Sequence, residues 1–133
     1  MHITVVTPEK VLLDDEADEI TIPTTSGEIT VLPQHVPLVT QLAPGIMIIK
    51  KHGREEDMVV QGGFVQVAPS YVRILADYAT AGKDISIAQA EEAKKRAEKA
   101  MRDKTSARDF AIAEAELQRA VLELKAAQRK RSH

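Results

Sequence analysis

The 133-residue chain predicts an α+β fold in two blocks: an antiparallel β-sandwich over residues 1–84, then an antiparallel two-helix hairpin over 85–133. Three observations carry this. Short β-prone runs recur through roughly the first 80 residues with Gly and Pro between them. Beyond Asp84 there is neither Gly nor Pro, and alanine becomes the commonest residue. The charge changes sign at the same place: residues 1–84 carry 6 Lys+Arg against 12 Asp+Glu, net −6, and residues 85–133 carry 12 against 8, net +4. A chain of this length holds one ordinary core, or a small core with an appendage, and not two large domains.

In order, residues 3–6 open a strand, and 20–22 and 28–32 alternate. Residues 46–49 and 58–60 flank a polar turn at 50–57, and 64–67 and 71–75 are separated by Ala68-Pro69-Ser70. Parallel pairing needs helical crossovers, and none is visible, so the strands are expected to be antiparallel. In the stretch GEITVLPQHVPL (27–38), a strand ends in a rigid turn, because each proline removes a ladder donor and fixes φ. The first helix is expected to keep Ile87, Ala90, Ala93 or Lys94, Ala97 and Met101 on one face, with Ser86 as N-cap. Thr105 or Ser106 caps the second, whose seam is Phe110, Ala113, Leu117, Ala120, Leu124 and Ala127. Each alanine buries little, so this hairpin is weakly held and is expected to open.

Several functions are disfavoured. Cysteine is absent, which removes disulfides and thiolate metal sites and fits a reducing compartment. His2, His35, His52 and His133 are not at ligand spacing, so no metal is expected. The acidic run from Asp14 to Glu19 lacks the glycine of a calcium loop and reads as a solvated strand connection. Gly62-Gly63 has no Lys-Ser/Thr after it and reads as a bulge or tight turn rather than a phosphate loop. The basic tail at 129–131 stands against an acidic chain with 3% aromatic residues, which argues against nucleic acid. No apolar run reaches the roughly 20 residues of a membrane helix, no N-terminal leader is visible, and an alanine-rich face offers little area for membrane insertion. An enzyme would need an apolar pocket with convergent ionisable groups, and none is expected.

Four segments resemble, in order, the epsilon subunit of the bacterial F-type ATP synthase: VVTPEKVLLDDEADEI, SGEITVLPQHVPLVTQLAPG, QGGFVQVAPSYVRILAD and the alanine-rich block from DISIAQA. They span nearly the whole chain. In the family's signature, Gly-Glu is followed by an apolar pair and then by Pro, Gly, His and Pro. Here Gln34 stands for the usual glycine, which makes a φ > 0 turn there less assured. The resemblance implies a sandwich of about ten short strands followed by two helices. It also implies a non-catalytic central-stalk subunit of a proton-translocating synthase, peripheral on the cytoplasmic face of the bacterial plasma membrane.

Glu28 matches a position facing the c-ring, and His35, with Pro33 and Pro37, a position near the gamma subunit. The second helix is implied to restrain ATP hydrolysis by meeting the beta (and alpha) subunits through Arg108, Arg119, Lys125, Arg129 and Lys130. Some members bind ATP through Ile/Leu-Asp-x-x-Arg-Ala at the start of the first helix. Here Ser86 and Gln89 replace the aspartate and the arginine, so ATP binding is expected to be weak or absent. Arg96 and Arg119 match basic positions of the family but Ile112 and Glu123 occupy others, and the alternative is a weak site built from Arg96 and Arg119. The competing function is a free-standing sandwich module that recruits a partner through its hairpin.

Overall fold

The computed structural model of the chain describes residues 1–103 and 106–131, the last two as backbone only. The strands are β1 (His2–Val6), β2 (Val11–Glu16), β3 (Glu19–Thr24), β4 (Gly27–Val31), β5 (Leu38–Gln41), β6 (Gly45–Lys51), β7 (Arg54–Val67) and β8 (Tyr71–Ala81). A 3-10 turn (Gly82–Asp84) leads into helices α1 (Ile87–Asp103) and α2 (Ala107–Arg131). The chain divides into two compact units at Ala81/Gly82, so that turn belongs with the helices.

In the first unit the strand order is β2-β1-β8-β7-β6-β3-β4, with β5 added to β7. Strand alternation builds its core: Ile3 and Val5 of β1, Ile20 and Ile22 of β3, and Val72 and Ile74 of β8 are wholly buried, with Met47, Val31 and Val65 among them. The pairing is antiparallel except between β1 and β8, which run parallel. Sequence reasoning excludes this pair because it looks for a helical crossover. Here six strands carry the chain from β1 back to β8.

Among the described residues there are eight strands rather than the about ten that the resemblance implies; the runs 58–60 and 64–67 are parts of one 14-residue strand, while β2 and β5 fall outside the runs read from the sequence. Gly62-Gly63 lies inside it and is neither a turn nor a bulge. The register continues unchanged from Gln61↔Tyr78 to Gly63↔Ala76, while both glycines have positive φ, 72° and 111°. They form the corner at which β7 stops pairing with β6, whose partners end at Val60, and begins pairing with β5 at Phe64. A side chain is excluded there, since a Cβ on Gly63 would lie 1.8 Å from the Leu75 carbonyl oxygen.

The polar turn closes as a two-residue hairpin. Lys51 pairs with Arg54, and His52 and Gly53 both adopt positive φ, the backbone of a type I′ turn. The acidic run is spent on this turn and its flank: Asp15 accepts from Lys51 Nζ at 2.7 Å, Asp18 accepts from the His52 N–H at 2.7 Å, and Glu19 pairs with Lys50 at 3.2 Å. It is a structural set of contacts and not merely a solvated connection.

In the second unit both helices begin on serine caps. The Gln89 N–H donates to Ser86 Oγ at 3.3 Å, and the Asp109 N–H donates to Ser106 Oγ at 3.0 Å. Thr105, the other candidate cap, lies outside the described residues, as do His133 and the side chains of Lys130 and Arg131. The short link makes the helices antiparallel neighbours. Ala90 and Ala97 of α1 and Ala113, Ala120, Ala126 and Ala127 of α2 are buried, while Phe110, Leu117 and Leu124 are half-buried. No described helix is long and apolar enough to cross a membrane.

Candidate functional site: an apolar stripe on the outer sheet face

The loop after β4 is built on a strained residue. Gln34 has φ +69°, so the left-handed turn expected of glycine forms with a glutamine in its place. Its N–H donates to the Pro69 carbonyl at 2.9 Å, which ties the loop to the β7–β8 turn. His35 Nδ1 lies 2.7 Å from the Val36 carbonyl oxygen. A carbonyl only accepts, so Nδ1 carries the proton, and in the neutral ring Nε2 is left as an acceptor. Pro33 and Pro37 are exposed and His35 is half-buried.

Beyond this loop, the outward face of the sheet carries an apolar stripe. By register, Gln41 of β5 stands beside Phe64 of β7, Phe64 beside Leu75 of β8, Leu75 beside Val6 of β1, and Val6 beside Val11 of β2. Phe64, Leu75 and Val11 are 56%, 57% and 58% exposed, which is far more than a free surface gains by showing large apolar side chains. Four strand spacings make this row about 19 Å long. Toward its β5 end Val39 and Val36 are 68% and 73% exposed, and Leu32 is 52% exposed. Sequence reasoning singles out Pro33, His35 and Pro37, through the family resemblance, and does not single out Phe64, Leu75, Val11, Val36 or Val39.

Elsewhere, Glu28 is exposed in β4 one residue beyond the β3–β4 turn. Arg96 and Arg108 are exposed, as is Lys125, while Arg119 and Arg129 are half-buried and engaged in contacts of their own. The structure brings no further ATP-site geometry to Arg96 and Arg119 than their positions on α1 and α2. The sandwich does contain a pocket of the kind not expected: a cleft of about 530 Å³ with Ile3, Leu13 and Ile49 in its wall and Asp15, Glu16, Lys51, His52, Arg54 and Glu56 around it. Within it Lys51 pairs with Asp15, while Glu16 is held by His2 and the Met1 amine. Hydrogen bonds from Lys51 and from His2 hold the Asp15 and Glu16 carboxyls below their usual range, and the Asp15 contact raises Lys51. Each shift favours the charged form, the opposite of tuning toward a proton-transfer group at neutral pH.

Residues 1–82 match the family "ATP synthase, Delta/Epsilon chain, beta-sandwich domain", and residues 83–128 match "ATP synthase, Delta/Epsilon chain, long alpha-helix domain". Among curated proteins, the ATP synthase epsilon chain of Nitrosospira multiformis is 42% identical over 99% of this chain and 97% of its own length. The chain belongs to the ATP synthase epsilon family. The epsilon chain of Moorella thermoacetica is 41% identical, covering 96% of both chains. Among solved structures, a chain of the Euglena gracilis mitochondrial ATP synthase (OSCP/F1/c-ring, rotational state 1) superposes with a TM-score of 0.75. It is 26% identical over 98% of this chain and 80% of its own. A chain of the Tetrahymena thermophila central stalk/c-ring, 20% identical with a TM-score of 0.61, shares the fold over 96% of both chains.

Proposed function

We propose that this epsilon chain is a non-catalytic rotor subunit of a proton-translocating ATP synthase on the cytoplasmic face of a bacterial plasma membrane. It joins gamma to the c-ring through its sandwich and restrains ATP hydrolysis through its hairpin. The observation that carries the reading is the apolar stripe continuing toward the loop at 32–39, a preformed docking face on a chain whose family assembles into a larger complex. Pro33 and Pro37 limit the unfolded freedom of that loop, so docking orders little. Gamma covers His35 and the stripe, and Glu28 meets the polar loops of the c-ring as an exposed charge beside a tight turn.

Opening of the hairpin costs little apolar area, because its seam buries mainly alanine. A 25-residue α2 is about 37 Å long. Freed from α1, it presents Arg108, Arg119, Lys125 and Arg129 to an acidic surface of the beta and alpha subunits. ATP binds weakly or not at all. Ser86 Oγ is occupied in capping α1, and Gln89 offers no cationic fork to a phosphate.

The test is incorporation of the purified chain into a gamma-containing head complex. One chain per complex is expected, with assembly lost in Phe64→Asp and Leu75→Asp variants that remain folded. A folded chain that never joins gamma overturns the reading and favours the free-standing module.

A further inference from the structure

An apolar stripe supplies affinity but little direction, since any apolar surface covers it. The next outward row, two residues along β5, β7, β8 and β1 and three along β2, where the β1–β2 register shifts between Val5 and Val6, lies about 7 Å away and is different. By register it runs Val39, Gln66, Arg73, Thr4 and Asp14. Arg73 is the cation of this row. Its guanidinium carbon stands 4.5 Å from the centroid of the Tyr71 ring, two residues back on β8, and the side chain is exposed. No carboxylate among the described residues pairs with it. Its lateral neighbours Gln66 and Thr4 are uncharged, and Asp14, beyond Thr4, is already bonded to His2. Arg73 is therefore a cation with its orientation set and its charge uncompensated, beside the docking stripe of a unit that is otherwise acidic.

We propose that Arg73, stacked over Tyr71, is the specificity anchor of this face and takes a carboxylate from the apolar segment of gamma that covers Phe64 and Leu75. This rests on the docking function proposed above. A planar guanidinium stacked on a ring keeps its N–H edge available, and fixing the fork in advance lowers the ordering cost of a bidentate contact. The stripe gives affinity, and the carboxylate 7 Å to its side sets the register in which the segment lies. A second copy of the chain is a poor occupant. Its residues 1–84 also carry net −6, so two copies meeting through this face repel each other.

Calorimetric titration of the full-length chain into the purified gamma subunit, at about 0.05 M and about 0.5 M salt, tests this. Arg73→Glu is expected to weaken binding by about tenfold or more at low salt and to lose most of the salt dependence. Arg73→Lys, which keeps the charge without the planar fork, should lose about threefold. Unchanged thermal midpoints confirm that these variants are folded. If Phe64→Asp abolishes binding while Arg73→Glu binds as wild type with the same salt slope, the anchor is overturned and the docking face stands. If Phe64→Asp itself binds normally, the docking face falls and the anchor with it. Self-association in sedimentation that Phe64→Asp abolishes, without gamma binding, assigns the face to a second copy and also overturns the proposal.

Discussion

Gln34 holds a backbone conformation that costs an L-residue roughly 1 kcal/mol and that glycine adopts freely. Replacing it by glycine keeps the N–H that bonds Pro69 and releases the strain. Gln34→Gly is therefore expected to raise stability by about 0.5–1 kcal/mol in denaturant unfolding, and a loss of stability contradicts this. His2 offers a second test. Its ring nitrogens face two carboxylates of β2, Nδ1 at 2.9 Å from Glu16 and Nε2 against Asp14. Only the imidazolium has two N–H groups, so hydrogen bonds to Glu16 and then Asp14 raise its pKa above the ordinary imidazole value. A raised folded-state pKa contributes stability that is complete below the unfolded value and is lost as pH rises through the folded one. The thermal midpoint of the wild type should exceed that of His2→Gln at about pH 6, and the difference should vanish by about pH 9. A difference independent of pH contradicts the protonated clasp. Neither effect is visible in sequence, because both depend on which residues β1, β2 and the β7–β8 turn bring alongside.

At the level of elements, most strands, the two helices and the Ser86 cap are legible, because local period and capping chemistry decide them, whereas β2 and β5 are not, β7 reads as two strands, and Ser106 is one of two candidate caps. Ser86 and Ser106 cap as the pattern requires. The outward stripe was not legible, for one physical reason. Alternation read forward from Met58 and Val60, both buried, places Phe64 inside. The two left-handed glycines shift the phase by one, so Val65 and Val67 point inward and Phe64 outward. The same corner gives a prediction. A methyl on Gly63 meets the Leu75 carbonyl carbon at 2.9 Å and its oxygen closer still, and backbone cannot yield as a side chain tip does. Gly63→Ala should cost about 3 kcal/mol or more in denaturant unfolding. A cost under about 1 kcal/mol would show that the corner relaxes.

For the whole molecule, charge and composition divide the chain where its compact units divide, near residue 82. The strand pairing and nearly all large buried side chains belong to the first unit, whereas the buried residues of α1 and α2 are alanines. A unit with its own core folds and docks by itself, while a hairpin with an alanine seam opens at small cost. This division of labour is the central claim: the sandwich holds the chain on gamma, and the hairpin restrains the catalytic head. It is tested most directly by ATP hydrolysis of a reconstituted head complex saturated with either the full chain or residues 1–84. Both should incorporate at one copy per complex, and only the full chain should lower hydrolysis. Equal hydrolysis in the two complexes, or failure of residues 1–84 to incorporate, contradicts the claim.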